Sequence, residues 1–509
     1  MRRVRRGAFG DIAFRRRVLF CFGLTLLSLW GCASDGKSPG DAAARIDLEA
    51  AREAPAQHPS APPVPQDPDP PTVARESSAS GGLALDQAIE EALQASPDLA
   101  QIRARIDAAN QQVRQADAAF YPRIVFSEEF NLTNNPVFAA MNIINQRRLL
   151  ASTDFNNPGE QQNFMTRFQG EWVLFQGGSR YYDRGAAVQQ RKAVASELQG
   201  ARNQLVARVT EVYYRWLQAL SFIGVAEKAH ESAKTDERIG AAKLRVEAAL
   251  PSDLARLKAR TAEMEGNLVS AKTGARKVQA AMERLLTRTV RDAEIPDPTF
   301  DQASLGDLGA MRGREDLVKK ALDQRPEMTA VRSLVEAARK RVRSAQGGFL
   351  PRLATSGQYQ WDTREWSETP NSWLIAVQAT WPLFEGGLTM ARIKEARARL
   401  AETESKGRQV ELDIALEVQQ AALSVEEAAE KIRVAEERRK WAAKALEEVR
   451  HQYDRGAVGV DGLLQSEVAW NQAEVGAMAA RFDGMIAQAA LRMALGDFSA
   501  RLDGLSSEQ

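Results

Sequence analysis

Trp381-Pro382-Leu383-Phe384-Glu385-Gly386-Gly387 is the segment that decides the predicted fold, because an apolar, strand-like run ends there and a long helical pattern begins directly afterwards. The same arrangement occurs earlier in the chain as Trp172-Val173-Leu174-Phe175-Gln176-Gly177-Gly178. Paired glycines allow backbone angles that other residues avoid. Both segments therefore predict an abrupt turn from a strand into a helix, made by Gly177 and Gly178 in one case and by Gly386 and Gly387 in the other.

A second pair of similar segments shows that the sequence is duplicated. Residues 92–123 align without gaps to residues 321–352, at a constant shift of 229 positions. Both segments close with an aromatic residue, any residue and Pro-Arg, so that Pro122 and Pro351 mark equivalent turns between a helix and a strand. Each half of the chain therefore predicts, in order, a helix, a proline, a strand, a loop, a strand, two glycines and a long helix.

Four segments alternate apolar and polar residues with period two, which is typical of strands. They cover residues of about 123–133, 164–175, 352–363 and 372–384. One apolar face, one polar face, lengths of about ten residues and aromatic residues near the ends fit a barrel with lipid outside and water inside. An ordinary soluble hairpin with one buried face would show the same alternation.

Long helical patterns follow both pairs of glycines. Residues 179–249 and 388–453 contain no proline, and shorter returning helices are expected over residues 252–287 and 463–495. About 70 helical residues make a rod about 100 Å long, at 1.5 Å per residue. Such a rod fits a duct that crosses a periplasm, although any long coiled coil would show the same pattern.

The two Pro-Arg strand starts, the two Phe-x-Gly-Gly turns and the segment Tyr453-Asp454-Arg455-Gly456 resemble the TolC-like family of outer-membrane efflux ducts. The resemblance covers residues of roughly 83–498. It implies a mainly α-helical fold with a small membrane β-barrel. Each chain would contribute four strands and a long antiparallel helical region, so that a homotrimer builds a 12-stranded barrel on top of an α-helical tunnel.

The turn that ends the second rod is a candidate functional site. Gly456 suits the left-handed residue that often ends a helix, and Asp461 can cap the returning helix. The first repeat has Ala249 where a glycine is expected. The resemblance places closure of the channel and contact with a periplasmic adaptor at these tips. The residues that it implies are Ala249, Leu250, Ser252, Tyr453, Gly456, Val458 and Asp461.

The first 31 residues predict a secretory signal, since a basic segment is followed by the apolar residues 18–30. Leu29-Trp30-Gly31-Cys32 resembles the lipobox of bacterial lipoproteins, which implies cleavage before Cys32 and acylation of its thiol. Ala33 in the next position implies export to the outer membrane. A plain signal peptide with an incidental cysteine is the alternative. Residues 33–80 are rich in proline and predict an extended linker.

The composition favours no enzyme class. The formal net charge of +1 includes seven arginines of the signal segment, and without residues 1–31 the chain has 61 basic and 66 acidic residues. No basic face indicates nucleic-acid binding. The three histidines are scattered, both cysteines lie in the first 32 residues, and no motif indicates a metal site, a phosphate loop or a nucleophile. We therefore expect no catalysis and no cofactor.

These observations predict the outer-membrane channel of a tripartite efflux system in a Gram-negative bacterium. It would be a passive, lipid-anchored homotrimer in contact with outer-membrane lipid, a periplasmic adaptor and an inner-membrane transporter of the RND or ABC type. Type I protein secretion and a periplasmic coiled-coil scaffold without a pore are the alternatives. The expected division is a signal peptide (1–31), an anchored linker (32–82), two efflux repeats (83–312 and 313–498) and a tail (499–509).

Overall fold

The computed structural model describes residues 82–296, 314–365 and 370–497. The predicted signal peptide, Cys32, the proline-rich segment up to residue 81, the predicted boundary between the two repeats and the predicted C-terminal tail lie outside these residues. The helices are α1 (Leu85–Ala95), α2 (Pro97–Ala118), α3 (Pro136–Asn145), α4 (Ser179–Arg245), α5 (Pro251–Leu286), α6 (Arg314–Gln324), α7 (Pro326–Gln346), α8 (Leu388–Asp454) and α9 (Val460–Leu495). The strands are β1 (Arg123–Thr133), β2 (Gln161–Gln176), β3 (Arg352–Thr363) and β4 (Asn371–Thr380).

The four strands form one antiparallel sheet in the order β1-β2-β3-β4. Phe126 lies opposite Phe168, Phe168 lies opposite Tyr359, and Tyr359 lies opposite Trp373, so the aromatic residues of all four strands share one face. Within the described residues, β1 pairs only with β2 and β4 pairs only with β3. The predicted combination of long helices with four strands per chain is confirmed, and the sheet has two unpaired edges.

The fourth strand is shorter than the sequence predicts. It was expected to run to residue 384, but its pairing with β3 ends at Thr380. Pro382 explains the difference, because a proline has no backbone N–H to donate to a neighbouring strand. Its counterpart Val173 carries an N–H, and β2 continues past it to Gln176 after a register shift between Val173 and Phe175.

The two sequence motifs that define the repeat are joined by a hydrogen bond in each half. The indole Nε1 of Trp172 donates to the backbone oxygen of Phe120 at 2.9 Å. In the second half, Nε1 of Trp381 donates to the backbone oxygen of Phe349 at 3.0 Å. Each tryptophan therefore ties the end of a strand to the segment that leads into the neighbouring strand of the same repeat.

The paired glycines take the left-handed conformation that the sequence predicts. The φ angles are 59° at Gly177, 76° at Gly178, 59° at Gly386 and 86° at Gly387. At Gly177 the surroundings add a second constraint, since a Cβ atom would lie 2.0 Å from the backbone oxygen of Gly347. Position 177 therefore requires glycine for two reasons, its left-handed backbone angle and its close contact with the segment before β3.

The rods are two helices of 67 residues each, α4 and α8, which correspond to lengths of about 100 Å. Helix α4 packs against α5, α7, α2 and α9, and α8 packs against α9, α7 and α6. The first rod ends at Arg245, before the predicted residue 249, while the second ends at Asp454. No helix among the described residues has both the length and the apolar character needed to cross a bilayer.

The helices that precede the strands are each broken by a proline. The pattern over residues 83–119 predicts one helix, but Ser96 separates α1 from α2, and its side-chain oxygen accepts a hydrogen bond from the backbone N–H of Leu99 at 3.4 Å. Pro326 likewise separates α7 from α6. A residue before proline is pushed out of the helical region, which explains both breaks.

The core of the helical region lies where the shorter helices meet the rods. Trp216, Val209 and Phe482 are buried with Met282 in one cluster, which includes residues of α1, α4, α5 and α9. Tyr213 donates a hydrogen bond to the backbone oxygen of Leu83 at 2.9 Å, and burial raises the pKa of its phenol. This cluster holds α4 at about the middle of its length, so the ends of that rod and the sheet lie away from the cluster.

Candidate functional site

The two hairpin turns at the ends of the rods have the same backbone geometry. In the second turn, the N–H of Ala457 donates to the oxygen of Gln452 at 2.9 Å, and the N–H of Gly456 donates to the oxygen of Tyr453 at 3.1 Å. In the first turn, the N–H of Ala248 donates to the oxygen of Lys243 at 2.9 Å, with a parallel bond from Glu247. These pairs of bonds are those of a Schellman motif, which ends a helix with a left-handed residue.

The left-handed residue of the first turn is Glu247, and this corrects the sequence alignment of the two tips. Gly456 has a φ angle of 75°, and Glu247 has a φ angle of 58°. Ala249, which was aligned with Gly456, lies two positions later. The expected glycine is therefore replaced by a glutamate, a residue for which the left-handed conformation is unfavourable by about 1–2 kcal/mol.

Asp461 is not the residue that caps the returning helix. Gly459 occupies the N-cap position of α9, and Asp461 lies in the first turn of the helix. Its carboxylate instead pairs with the guanidinium of Arg256 on α5 at 2.5 Å. The ion pair joins the two hairpins, and a negative charge in the first turn also interacts favourably with the helix dipole.

Tyr453 connects the same two hairpins through apolar and polar contacts. Its side chain is buried against Leu257 of α5 and against Val460 and Leu463 of α9. The Nζ of Lys243 lies 3.8 Å from the centre of the Tyr453 ring and donates to the Tyr453 backbone oxygen at 3.2 Å. The tips of the two repeats are therefore packed together within one chain.

The remaining predicted tip residues lie on the surface of the turns. Leu250 is exposed at the N-cap of α5, Ser252 is exposed in its first turn, and Ala249, just before Leu250, is half-buried. Gly456 is exposed with no atom near the position of a Cβ, and Val458 packs against Gly462. The structure thus brings Tyr453, Asp461 and the first hairpin together and leaves the apices of both turns open to solvent.

A buried acidic pair lies a short distance along the rods from these turns. Asp236 of α4 and Glu467 of α9 are almost fully buried, and Arg450 of α8 reaches both of them. The Nη2 of Arg450 lies 2.9 Å from the Glu467 carboxylate, 3.4 Å from the Asp236 carboxylate and 2.9 Å from the Ser232 hydroxyl. Sequence analysis missed this cluster, because isolated acidic residues within a charged helix resemble solvated ones.

Burial raises the pKa of the Glu467 carboxyl to about 7, and the neighbouring Asp236 carboxylate raises it further against the opposing effect of Arg450. Between pH 4.5 and about 7, the Glu467 carboxyl therefore keeps its proton in the folded protein. In the unfolded chain, where its pKa has the ordinary value of 4.5, the carboxyl is ionised. Stability from this group is complete below pH 4.5 and declines as the pH rises to about 7.

We expect Glu467→Gln to remove this pH dependence, since an amide does not ionise. The midpoint of thermal unfolding of the variant, relative to the parent protein, should rise as the pH increases from about 5 to about 8. Circular dichroism of the helical signal in detergent measures it. Glu474→Gln, a substitution on the same helix outside the cluster, is the control. A constant difference between Glu467→Gln and parent over that range would contradict the assignment.

The two faces of the sheet form a second candidate site. The apolar face carries large side chains that are exposed in the single chain, including Ile124, Phe126, Phe130, Leu132, Trp373, Ile375 and Val377. The opposite face is polar and carries Ser127, Glu129, Asn131, Asn163, Arg167, Gln169, Gln358, Gln360 and Asp362. An exposed apolar face opposite a polar one, in a sheet with free edges, is what a segment of a membrane barrel requires.

The family model described as outer membrane efflux protein matches residues 88–286 and 317–497, which is about three quarters of the chain. The chain belongs to this family. Each matched block falls within one of the two sequence repeats, and the tips and all four strands lie inside the blocks. The resemblance inferred from the two glycine turns and the two Pro-Arg starts is therefore confirmed.

Among curated proteins, this outer membrane efflux protein is 27% identical over 331 residues to Protein CyaE of Bordetella pertussis. The alignment spans 64% of this chain and 65% of that relative, slightly less than two thirds of its length. The fold is also similar to the folds of solved structures. A membrane protein from Pseudomonas aeruginosa superposes with a TM-score of 0.70 at 20% identity, over 85% of this chain and 99% of that one.

The CmeC outer membrane channel of Campylobacter jejuni superposes with a TM-score of 0.68 at 17% identity, over 81% of this chain and 85% of that one. At this level of identity the likeness establishes the fold. Family and fold are those of channel proteins. In the part of the chain that the structure describes, no group of histidine, cysteine, aspartate and glutamate side chains is arranged to hold a metal ion.

Proposed function

We propose that three copies of this chain form a passive duct through the outer membrane. The observation that carries the proposal is the four-stranded sheet with two unpaired edges and an exposed apolar face. Unpaired backbone groups are not tolerated in lipid, and natural membrane barrels need at least about eight strands. Two copies would close a barrel whose interior is filled by side chains, whereas three give twelve strands and a wider lumen.

The helical region would continue this barrel as a tunnel into the periplasm. Rods of about 100 Å leave the sheet directly at the paired glycines, so barrel and tunnel would share one axis. The tips at the far ends of the rods would meet a periplasmic adaptor, through the apices at Leu250 and Gly456. An inner-membrane transporter would supply the driving force and most of the choice of substrate.

The N-terminal segment would add a lipid anchor. The lipobox-like sequence before Cys32 supports cleavage after Gly31 and acylation of the Cys32 thiol. The proline-rich linker would then tether the anchor to the first repeat. The acyl chains would enter the inner leaflet of the outer membrane beside the barrel, and the barrel alone would suffice to keep the protein in the membrane.

Native mass spectrometry of protein extracted from outer membranes tests the assembly and the anchor together. We expect a complex of three chains, each beginning at Cys32 and carrying fatty acyl groups, and we expect the same sample to form ion-conducting pores in planar bilayers. A stable monomer without pore activity would refute the duct. Trimers of chains without acyl groups would refute only the anchor.

A further inference from the structure

The loop between β1 and β2 contains helix α3, which is seated on the polar face of the sheet. Asn142 of α3 donates its side-chain amide to the side chain of Asn131 at 2.8 Å. Just after the helix, the amide of Gln146 donates to the Asn163 side chain at 3.0 Å and to the backbone oxygen of Gln162 at 2.8 Å. Because Asn131 and Asn163 both point from the polar face, α3 lies on that side of the sheet.

The seat beneath α3 is a buried network of polar side chains. The amide of Asn163 donates to one carboxylate oxygen of Asp362 at 2.8 Å, and the amide of Gln360 donates to the other at 2.8 Å. Asn163 is 2% exposed and Asp362 is 1% exposed. Hydrogen bonds of this kind fix a geometry closely, because each unsatisfied partner would be costly in a buried site. The position of α3 on the sheet is therefore specified by side chains.

Unlike an ordinary surface helix, α3 carries apolar residues on both of its sides. The side toward the sheet consists of the buried residues Ala139, Asn142 and Ile143. The other side carries Val137, Phe138, Met141 and Ile144, which are 70%, 65%, 50% and 44% exposed. These four residues follow helical spacing and form one apolar stripe, which a single chain leaves uncovered.

The dimensions of a 12-stranded barrel indicate what covers this stripe. Strands about 4.8 Å apart and tilted by about 40° give a barrel about 24 Å across, measured between backbones. A helix with its side chains is about 10 Å thick. Three helices, each seated on the polar face of its own sheet, therefore reach the axis of the barrel. There each apolar stripe meets the stripes of the other two copies.

We propose that the three α3 helices form an apolar constriction at the outer mouth of the duct, with the Phe138 and Met141 side chains of three copies in mutual contact. The proposal rests on the trimeric duct described above. An apolar constriction closes a water-filled pore by expelling water from its narrowest part. The duct thus has an outer barrier that is independent of the tips, and cargo must displace α3 from its amide seat to leave the cell.

Cross-linking between copies tests the contact directly. The chain has only Cys21 and Cys32, so a single cysteine in the body is easily followed against the parent protein. Met141→Cys should form disulfide-linked pairs of chains in intact membranes after mild oxidation. Ile375→Cys, on the exposed apolar face of the sheet, should form none. A complete absence of linked chains at both Phe138→Cys and Met141→Cys, in a protein that remains trimeric, would overturn the proposal.

Access from outside the cell tests the barrier. Gln169 is exposed on the polar face, further along β2 from α3, so Gln169→Cys places a thiol inside the lumen. A membrane-impermeant maleimide added to intact cells should label it slowly. Combining it with Phe138→Ser and Met141→Ser should accelerate labelling several-fold, because the constriction becomes polar. Equal labelling rates would refute an outer barrier. If the parent protein itself forms no trimer, the duct is refuted, and the constriction with it.

Discussion

We expect Gly177→Ala to be the most destabilising single-methyl substitution at the turns between the sheet and the rods. The added Cβ would lie 2.0 Å from the backbone oxygen of Gly347, so one of the two backbone segments must move. The backbone angle at this position is also left-handed, with φ at 59°. Overpacking against a rigid neighbour together with a left-handed alanine costs about 2–5 kcal/mol.

Gly178→Ala is the matched control for this prediction. Its φ angle is 76°, but the nearest atom to an added Cβ is in the Tyr182 side chain, at an ordinary contact distance of 3.6 Å. Gly178→Ala should therefore cost only the strain of a left-handed alanine, about 1–2 kcal/mol. The measurements are the midpoint of thermal unfolding in detergent and the amount of trimer in outer membranes. Equal losses for the two variants would show that the Gly347 contact does not constrain the turn.

The elements with one strong local signal were predictable from the sequence. Period-two alternation gave the four strands, and the long proline-free patterns gave the two rods, because each depends on residues that are close in sequence. The Trp172 and Trp381 hydrogen bonds were not predictable, since a strand-end tryptophan has the same sequence pattern whether it faces lipid or donates to Phe120 or Phe349. Their equivalence across the repeats is nevertheless visible in the sequence.

The candidate sites were less predictable, because they depend on which side of a helix meets another element. The segment at residues 137–144 could be recognised as apolar, but only the contacts of Asn142 and Gln146 show which side of the helix faces the sheet. Asp236 and Glu467 are more than 200 residues apart, and no local pattern connects them. The first site arises from packing of α3 on the sheet, and the second arises from long-range packing of the helices.

The position of the left-handed residue in the first tip was also not predictable from the sequence. The sequence places residues 246–252 at the equivalent point of the first repeat, with Ala249 at the position of the expected glycine. The left-handed residue in fact lies two positions earlier, at Glu247, because the helix already ends at Arg245. The hydrogen bonds from Glu247 and Ala248 to the preceding turn hold it there. A full Schellman motif can thus impose an unfavourable conformation on a residue that the sequence alone would not select.

We expect Gly456→Val to preserve the trimer and to abolish export. Gly456 has a φ angle of 75°, and a β-branched residue in that conformation is strained by roughly 1–3 kcal/mol. No atom lies within 4 Å of the added Cβ, so the fold itself has room for the side chain. The strain is relieved by opening the turn, which breaks the bonds from Gly456 and Ala457 to Tyr453 and Gln452. Tyr453 then loses its fixed position between the hairpins, at the site where we propose that the adaptor binds.

Two variants of the first tip provide the comparison. Ala249→Val adds a similar side chain outside the left-handed position and should leave export intact. Glu247→Gly removes the side chain from a residue in the left-handed conformation. It should raise the midpoint of thermal unfolding slightly while export is maintained. The paired measurements are the trimer level in isolated membranes and the intracellular retention of a pump substrate such as a fluorescent dye. Normal export by Gly456→Val at a normal trimer level would exclude the geometry of this turn from the transport mechanism.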